Sequence, residues 1–398
     1  YFAQIRRGIT KEWDTLIRKS IGDDTLNFPI FCHVPDEKKR DNLSVAYGVF
    51  PLIRHCLGII HQQEIKSHRQ SGNEVSLLLR SDPDSDDLLF LSQHDNWSCG
   101  FRNLQMILSH QISLCKRNGS NKSISSMLIH PSKFFGSQPN SNIPIIQDLQ
   151  LHIQNSWLLG FDTEGAKHYK EQMHKKKKRH KKFPKKNVNI LNSWIGAAEV
   201  CSLLCYFTMN ATVVQFIKTK KSRQLLAPFV WEYFLQNPNI SAPALLRLAE
   251  EHACNKRHHF SKEISGHISS CTKRCPLYLQ WHGHSVSIVG IECFSHGNYH
   301  AEGEKSSMPA FNFIIFDPRR RGSVLKTALE QFLRKSSCYH NDSSVDENCK
   351  GGKEWLSWVR LPAEKLLEKD CQIVHCSNSP IDVDEHFKCR SFVRGISA

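Results

Sequence analysis

Phe2, Ile5, Ile9, Trp13 and Ile17 recur at intervals of three and four, the spacing that lines one side of an α-helix. A second stretch, Leu43 to His68, places Val49, Leu52, Ile53, Cys56, Leu57 and Ile60 on one side and also predicts a helix; both helices could be core, or one could present a face to a partner. A short strand signal follows at Val75 to Leu79, then an acidic turn from Arg80 to Asp87. From Cys99 the apolar positions Leu104, Ile107, Leu108 and Ile112 predict a core-facing helix that begins close to the cysteine. Residues 116–142, rich in Ser, Asn and Lys, read as a surface loop. Ile143 to Leu159 is helical, with Pro144 in its first turn.

Farther on, Trp194 to Phe207 predicts a buried helix, Ala211 to Ile217 a strand and Ala242 to Cys254 another helix. Leu277 to Trp281, Ser285 to Ile291 and Phe311 to Asp317 look like successive strands of one buried sheet. Helices early and strands late imply a two-lobed α/β (α+β) arrangement. The expected division is a helical arm over 1–72, a core over 73–335 and a C-terminal extension over 336–398.

The net charge of +15 is unevenly spread. The run His174 to Lys186 holds nine Lys/Arg and no acid, and the rest of the chain carries only about +6. Like charges at this density cannot be buried, so residues 173–187 read as an exposed insertion in the core. Lys175 to Lys186 could contact an import receptor or nucleic acid, or simply be solvated. No base-reading motif accompanies the run. No stretch of eighteen apolar residues exists, so neither a membrane-spanning helix nor a membrane partner is expected. Fifteen cysteines, an odd number and scattered, read as reduced thiols of a nuclear and cytoplasmic protein. The chain opens on Tyr1 rather than Met and can be a piece of something longer.

One cysteine has a setting that suits chemistry. A free thiol titrates at about 8.5, and a helix N-terminus or a neighbouring imidazolium lowers that value. Gln93-His94-Asp95-Asn96-Trp97-Ser98-Cys99-Gly100 is a polar turn running into an amphipathic helix, and Asp95 or Asn96 could cap it. His284 opens a strand between small residues, where an imidazole can face a cleft. Asp317 closes an apolar strand before Pro318, which suits a carboxylate that orients an imidazole but also an ordinary Asp-Pro turn. Cys254, His258, His259, Cys271 and Cys275 include a Cys-x3-Cys spacing, so a zinc site is a minor alternative. No cofactor is expected.

These residues resemble a known family. Asn96-Trp97-Ser98-Cys99-Gly100-Phe101-Arg102-Asn103-Leu104-Gln105 resembles the nucleophile motif of the peptidases specific for ubiquitin-fold modifier. Leu279-Gln280-Trp281-His282-Gly283-His284-Ser285 resembles their histidine motif, and Phe316-Asp317-Pro318 their aspartate motif. Trp194 to Glu199 and Gly160-Phe161-Asp162 look like family landmarks between them. The likeness runs from about residue 75 to about 335. Ser98 stands where glycine is common and Phe101 where tyrosine is common.

The resemblance implies a papain-like thiol peptidase, with its cysteine at a helix start and a central, mostly antiparallel sheet carrying histidine and aspartate. Cys99 would be nucleophile, His284 base and Asp317 orienter. Gln93 and Asn96 are rival oxyanion donors, and Trp97, Trp281 and Gly283 are candidate walls of the substrate channel. The branch acting on ubiquitin-fold modifier has its histidine directly after Asp-Pro, where this chain has Arg319. The zinc-finger-containing branch uses a Gly-His-Ser motif, as here. The implied activity is therefore hydrolysis after the C-terminal glycine of ubiquitin, in polyubiquitin chains. The arm over 1–72 could hold a distal ubiquitin, and the acidic stretch Asp82 to Asp87 could meet arginines of the ubiquitin tail. Other readings are a protease for the other modifier, a silent ubiquitin-binding scaffold, or a basic nucleic-acid-associated protein.

Overall fold

The computed structural model describes residues 44–68, 74–80, 88–117, 143–168 and 171 (without 159), 194–254 (without 208, 218 and 236–238), 268–295 (without 273), 310–338, 353–380 and 395–398. Residues 1–43, the acidic stretch 82–87, most of the 116–142 loop and the basic run 174–186 lie outside the described residues.

A nine-stranded sheet organises the chain. Its strands are β2 (Glu74–Arg80), β4 (Met209–Phe216), β5 (Ile268–Thr272), β6 (Leu277–Trp281), β7 (His284–Ser295), β8 (Ala310–Phe316), β9 (Arg360–Pro362), β10 (Cys371–Pro380) and β11 (Gly395–Ser397). The order is β11-β4-β10-β6-β7-β2-β5, with β8 on the other edge of β7 and β9 beyond it. Every pairing is antiparallel except β11 with β4 and β5 with β2. The long β7 pairs with β6 over its first half and β2 over its second, while β8 runs along the opposite edge.

Alternation along the strands sends successive side chains to opposite faces. Leu277, Leu279, Val286, Ile288 and Ile373 pack with α5 (Lys220–Leu235) and α6 (Ala242–Cys254). Tyr278, Val213 and Val374 point the other way, onto α2 (Cys99–Arg117), α3 (Ile146–Leu158) and α4 (Ala197–Tyr206). Farther along that face, Leu77, Leu79, Ile314 and Phe316 meet α1 (Val49–His68) and α7 (Gly322–Cys338). A small two-stranded sheet, β1 (Ser44–Ala46) with β3 (Phe90–Ser92), joins that third cluster.

Two expected boundaries move. The arm over 1–72 does not hold for 44–68. Val49, Phe50, Ile53, Cys56, Leu57 and Ile60 are buried against Leu325, Leu329 and Phe332 of α7 and against Phe316, so α1 is core. The extension over 336–398 likewise contains a central strand. β10 lies between β4 and β6, with Ile373, Val374 and Cys376 buried. The unpaired sheet edges it closes would otherwise leave backbone N–H and C=O groups without partners.

Helix α2 also differs from a simple amphipathic element. It is buried all round from Cys99 to Gln111, polar residues included. Arg102 donates to Gln105 Oε1 at 3.0 Å, and Gln105 Nε2 donates to the Pro144 carbonyl at 2.7 Å. Such pairing lets polar side chains go inside at little cost. The nucleophile candidate thus sits on a helix gripped from several sides rather than resting on a surface.

Candidate active site

Cys99 is the first residue of α2. The Asp95 carboxylate accepts from the backbone N–H groups of Trp97 at 2.9 Å and Ser98 at 2.7 Å, folding the preceding loop into a turn. Ser98, whose carbonyl accepts from Arg102 N at 2.9 Å, is the true cap residue. Asp95 therefore shapes the approach to the helix and does not cap it. The amides of Cys99 and Gly100 have no earlier turn to bond, which leaves partial positive charge at the sulfur. Gly100 allows the helix end to press on the Ile195 carbonyl. A Cβ there would lie 2.9 Å from that oxygen.

His284 is placed by a two-residue hairpin. Trp281 and His284 pair across it, and Gly283 has φ +81°, a conformation that favours glycine. His284 Nε2 lies 2.9 Å from Asp317 Oδ1, which directs Nδ1 toward Cys99. Asp317 follows β8 and has a second partner. Arg319 donates to Oδ2 from Nη2 at 3.0 Å and from Nε at 3.3 Å, and its backbone N–H donates to Oδ1 at 3.0 Å. The two loops are tied together, since Gln93 N donates to the Pro318 carbonyl at 2.7 Å.

The electrostatics follow from these contacts. Burial alone would raise the Cys99 thiol, but hydrogen bonds with His284 and Ser285 and the charge of His284 outweigh it, and the thiol is held below its ordinary value. Burial would likewise push His284 down, yet its bonds to Asp317 and Cys99 raise it. Burial would raise Asp317, and the bonds from His284 and Arg319 instead hold it well below the usual carboxylate range. Elsewhere burial wins: it drives Cys56 and Cys293 up to about 12 and Cys371 up to about 11. Cys99 is acidified where those three thiols are made inert.

A cleft of about 350 Å³ opens over Cys99 and His284, lined also by Gln93, Asn96, Trp194, Gly283 and Arg319. Gln93 Nε2 donates one N–H to the Asp95 carbonyl at 2.9 Å, leaving a second N–H for an oxygen in the cleft. Asn96 is exposed at the rim. Two of the expected channel walls stand elsewhere. Trp97, partly buried, packs edge-on to Phe101 against the core cluster, an arrangement favoured between aromatic rings. Trp281 lies edge-on to His284 at 5.2 Å, flanking the imidazole outside the cleft lining. The aromatic ring in the cleft is Trp194, half exposed.

Sequence reading missed Arg319 as a partner of Asp317, and it missed Asn103. Asn103 is one turn after Cys99 on the same face, a spacing that could have flagged it. Of the five residues of the zinc alternative, Cys275 is buried in the core and the side chains of the other four lie outside the described residues. Among the described residues no group of three or more His, Cys, Asp or Glu could hold a metal ion.

A buried, acidified thiol at a helix N-terminus, an imidazole held against it and a carboxylate behind the imidazole make the constellation of a thiol peptidase. Comparison with known proteins agrees. The pattern of peptidase family C78 matches residues 90–349, well over half of the chain, and the chain belongs to that family. It is 28% identical over 242 residues to human zinc finger-containing ubiquitin peptidase 1, covering 61% of this chain and 30% of that protein. The mouse protein of the same name is 25% identical over 282 residues, 70% of this chain and 37% of its own length. Ubiquitin carboxyl-terminal hydrolase mug105 of Schizosaccharomyces pombe is 25% identical over 230 residues, 58% of this chain and 63% of that protein. The chain thus spans only about a third of the length of the zinc-finger-containing relatives it matches.

Proposed function

We propose that the protein is a thiol-dependent deubiquitinase that hydrolyses the bond after the C-terminal glycine of ubiquitin, in polyubiquitin chains. The observation that carries this is the acidified Cys99 thiol bonded to a His284 that is itself held by Asp317. The names of the relatives favour ubiquitin as the modifier. Arg319, standing where the other branch has its histidine, is engaged with Asp317 and supplies no base.

In this reading the Cys99 thiolate attacks the glycyl carbonyl carbon. The developing oxyanion takes hydrogen bonds from Gln93 Nε2 and the Cys99 N–H. His284, protonated by the thiol, gives that proton to the departing lysine amine, and the C–N bond breaks. His284 then takes a proton from water as the hydroxide attacks the thioester, which frees the ubiquitin carboxylate and restores the thiol. Trp194 lies beside the path to the sulfur and suits the narrow passage that a double-glycine tail can thread.

Labelling with ubiquitin and ubiquitin-fold modifier, each carrying a C-terminal electrophile, tests the reading. The ubiquitin probe should label wild type and not Cys99→Ala. Labelling by the other probe alone would overturn the substrate assignment. We also place the protein in nucleus and cytoplasm and assign the basic run 174–186 to import-receptor or nucleic-acid contact. Its deletion should change localisation or salt-dependent binding and leave probe labelling intact.

A further inference from the structure

Asn103 lies one turn after Cys99 on α2, is fully buried and makes three side-chain hydrogen bonds. Its Nδ2 donates to the Cys99 carbonyl oxygen at 2.9 Å. A carbonyl only accepts, so the amide nitrogen must face it. The second N–H of the same nitrogen goes to Ser285 Oγ at 3.1 Å. Oδ1 is then an acceptor, and the Ser287 hydroxyl donates to it at 2.8 Å. Turning the amide over would set oxygen against oxygen at the Cys99 carbonyl, so its orientation is settled.

The first of these bonds is local, since an Asn in a helix can bond the carbonyl four residues back. The other two are not. Ser285 and Ser287 lie 182 and 184 residues away in the chain, on β7. Ser285 directly follows His284, the first residue of that strand, which is entered through the Gly283 turn. One amide therefore holds the nucleophile's own residue on one side and the strand that begins with the base on the other. Farther along α2, Met106 shares an apolar cluster with Val289 of β7. Apolar contact resists separation but is non-directional and permits sliding. Hydrogen bonds weaken steeply as their angles bend, so three of them on one planar amide resist sliding as well.

We infer that Asn103 is a positioning residue that sets the separation and alignment of Cys99 and His284 by tying α2 to β7. Its effect on turnover rests on the peptidase reading above, and its effect on the thiol does not. The titratable groups around Cys99 are His284 on β7 with Asp317 behind it, Asp95 on the loop before α2 and Arg319 on the loop after β8. The Tyr278 hydroxyl of β6 lies beside Gly100, and Glu199 of α4 is bonded to Gly196 next to it. A slide of α2 along β7 changes the distance between Cys99 and His284. A thiol that loses an imidazolium neighbour ionises at higher pH.

The test pairs the pH profile of Cys99 alkylation by iodoacetamide, read by mass spectrometry on the whole chain, with hydrolysis of a ubiquitin C-terminal reporter. Asn103→Ala should move the alkylation profile upward by about one pH unit and slow alkylation on its acid side about tenfold. It should lower kcat on the order of tenfold and leave KM within about twofold. Ser285→Ala together with Ser287→Ala should do the same from the strand side. All three substitutions combined should lose little more, because they cut one bridge. Leu245→Ala, a cavity in the cluster on the other face of the sheet, should cost stability and leave the profile in place. An Asn103→Ala profile that superimposes on wild type overturns the inference. So does an equal shift in Leu245→Ala, and so do losses that multiply in the triple variant. Should these variants fail to fold, Ser287→Ala, which removes one bond from outside the helix, carries the test: a smaller upward shift supports the bridge, and an unmoved profile overturns it. Iodoacetamide needs no ubiquitin recognition, so a wild type that ignored the ubiquitin reporter would sink the substrate reading and leave the alkylation result standing.

Discussion

Gly100→Ala puts a methyl group where the nucleophile helix meets the start of α4. Its carbon would lie 2.9 Å from the Ile195 carbonyl oxygen, 2.8 Å from Ile195 Cγ1 and 3.2 Å from the Tyr278 hydroxyl. Ordinary contact begins at 3.4 Å, so the carbonyl and the helix end must separate by about 0.5 Å. The Ile195 side chain can rotate, but its backbone is anchored. Gly196 N donates to Glu199 Oε2 at 2.8 Å, and its carbonyl accepts from Val200 N. The end of α2 must yield instead and take Cys99 away from His284. Overpacking of this kind costs ~1–3 kcal/mol. A misplacement of ~1 Å at reacting atoms costs about a hundredfold in rate, so half that distance predicts on the order of tenfold in kcat. Urea denaturation gives the first quantity, and hydrolysis of a ubiquitin reporter gives the second. Stability within about 0.5 kcal/mol of wild type, together with unchanged kcat, would refute the claim that this contact sets the position of Cys99.

Asp317→Asn removes the charge that raises His284 and should reduce kcat on the order of a thousandfold, together with the stability that the ionised carboxylate contributes. A loss below about tenfold would mean that Asp317 does not orient the imidazole. Arg319→Gln removes the side-chain bonds to Asp317 but keeps the backbone one. Arg319 is half exposed, so the pair is worth at most about 1 kcal/mol, and activity should fall up to about fivefold, less at high salt. Turnover should rise with pH through the lowered Cys99 value and decline as pH passes the raised His284 value, because the reactive state needs the first deprotonated and the second protonated. At pH 7, iodoacetamide should modify Cys99 ahead of Cys56, Cys293 and Cys371, and equal labelling of all four would contradict its acidification. The stability terms have opposite signs. The contribution of His284 is complete below its unfolded value and is lost as pH rises through the folded one. That of Asp317 is present above the ordinary carboxylate range and is lost as pH falls through its lowered value.

The sequence by itself determined the local parts. Short apolar runs marked β6, β7 and β8, spacing of three and four marked α1 and α2, and the flanks of Cys99, His284 and Asp317 marked their ends. Those signals are local because the period of a helix or strand is set by its own backbone geometry. What surrounds an element is not encoded in its period. Hence α1 read as a separate arm, although its apolar side is filled by α7, whose sequence lies more than two hundred residues away. β10 escaped notice as a sheet strand because only its place between β4 and β6 gives it partners. The sequence put Trp97 in the cleft wall and gave Trp194 no such place, but packing set the partly buried Trp97 ring against the core and left Trp194 half exposed in the cleft lining. The fine structure of the site was likewise a tertiary matter. Arg319 on Asp317 spans two residues, but Asn103 between Cys99, Ser285 and Ser287 joins positions about 180 residues apart, and only the docking of α2 on β7 brings them within hydrogen-bond distance.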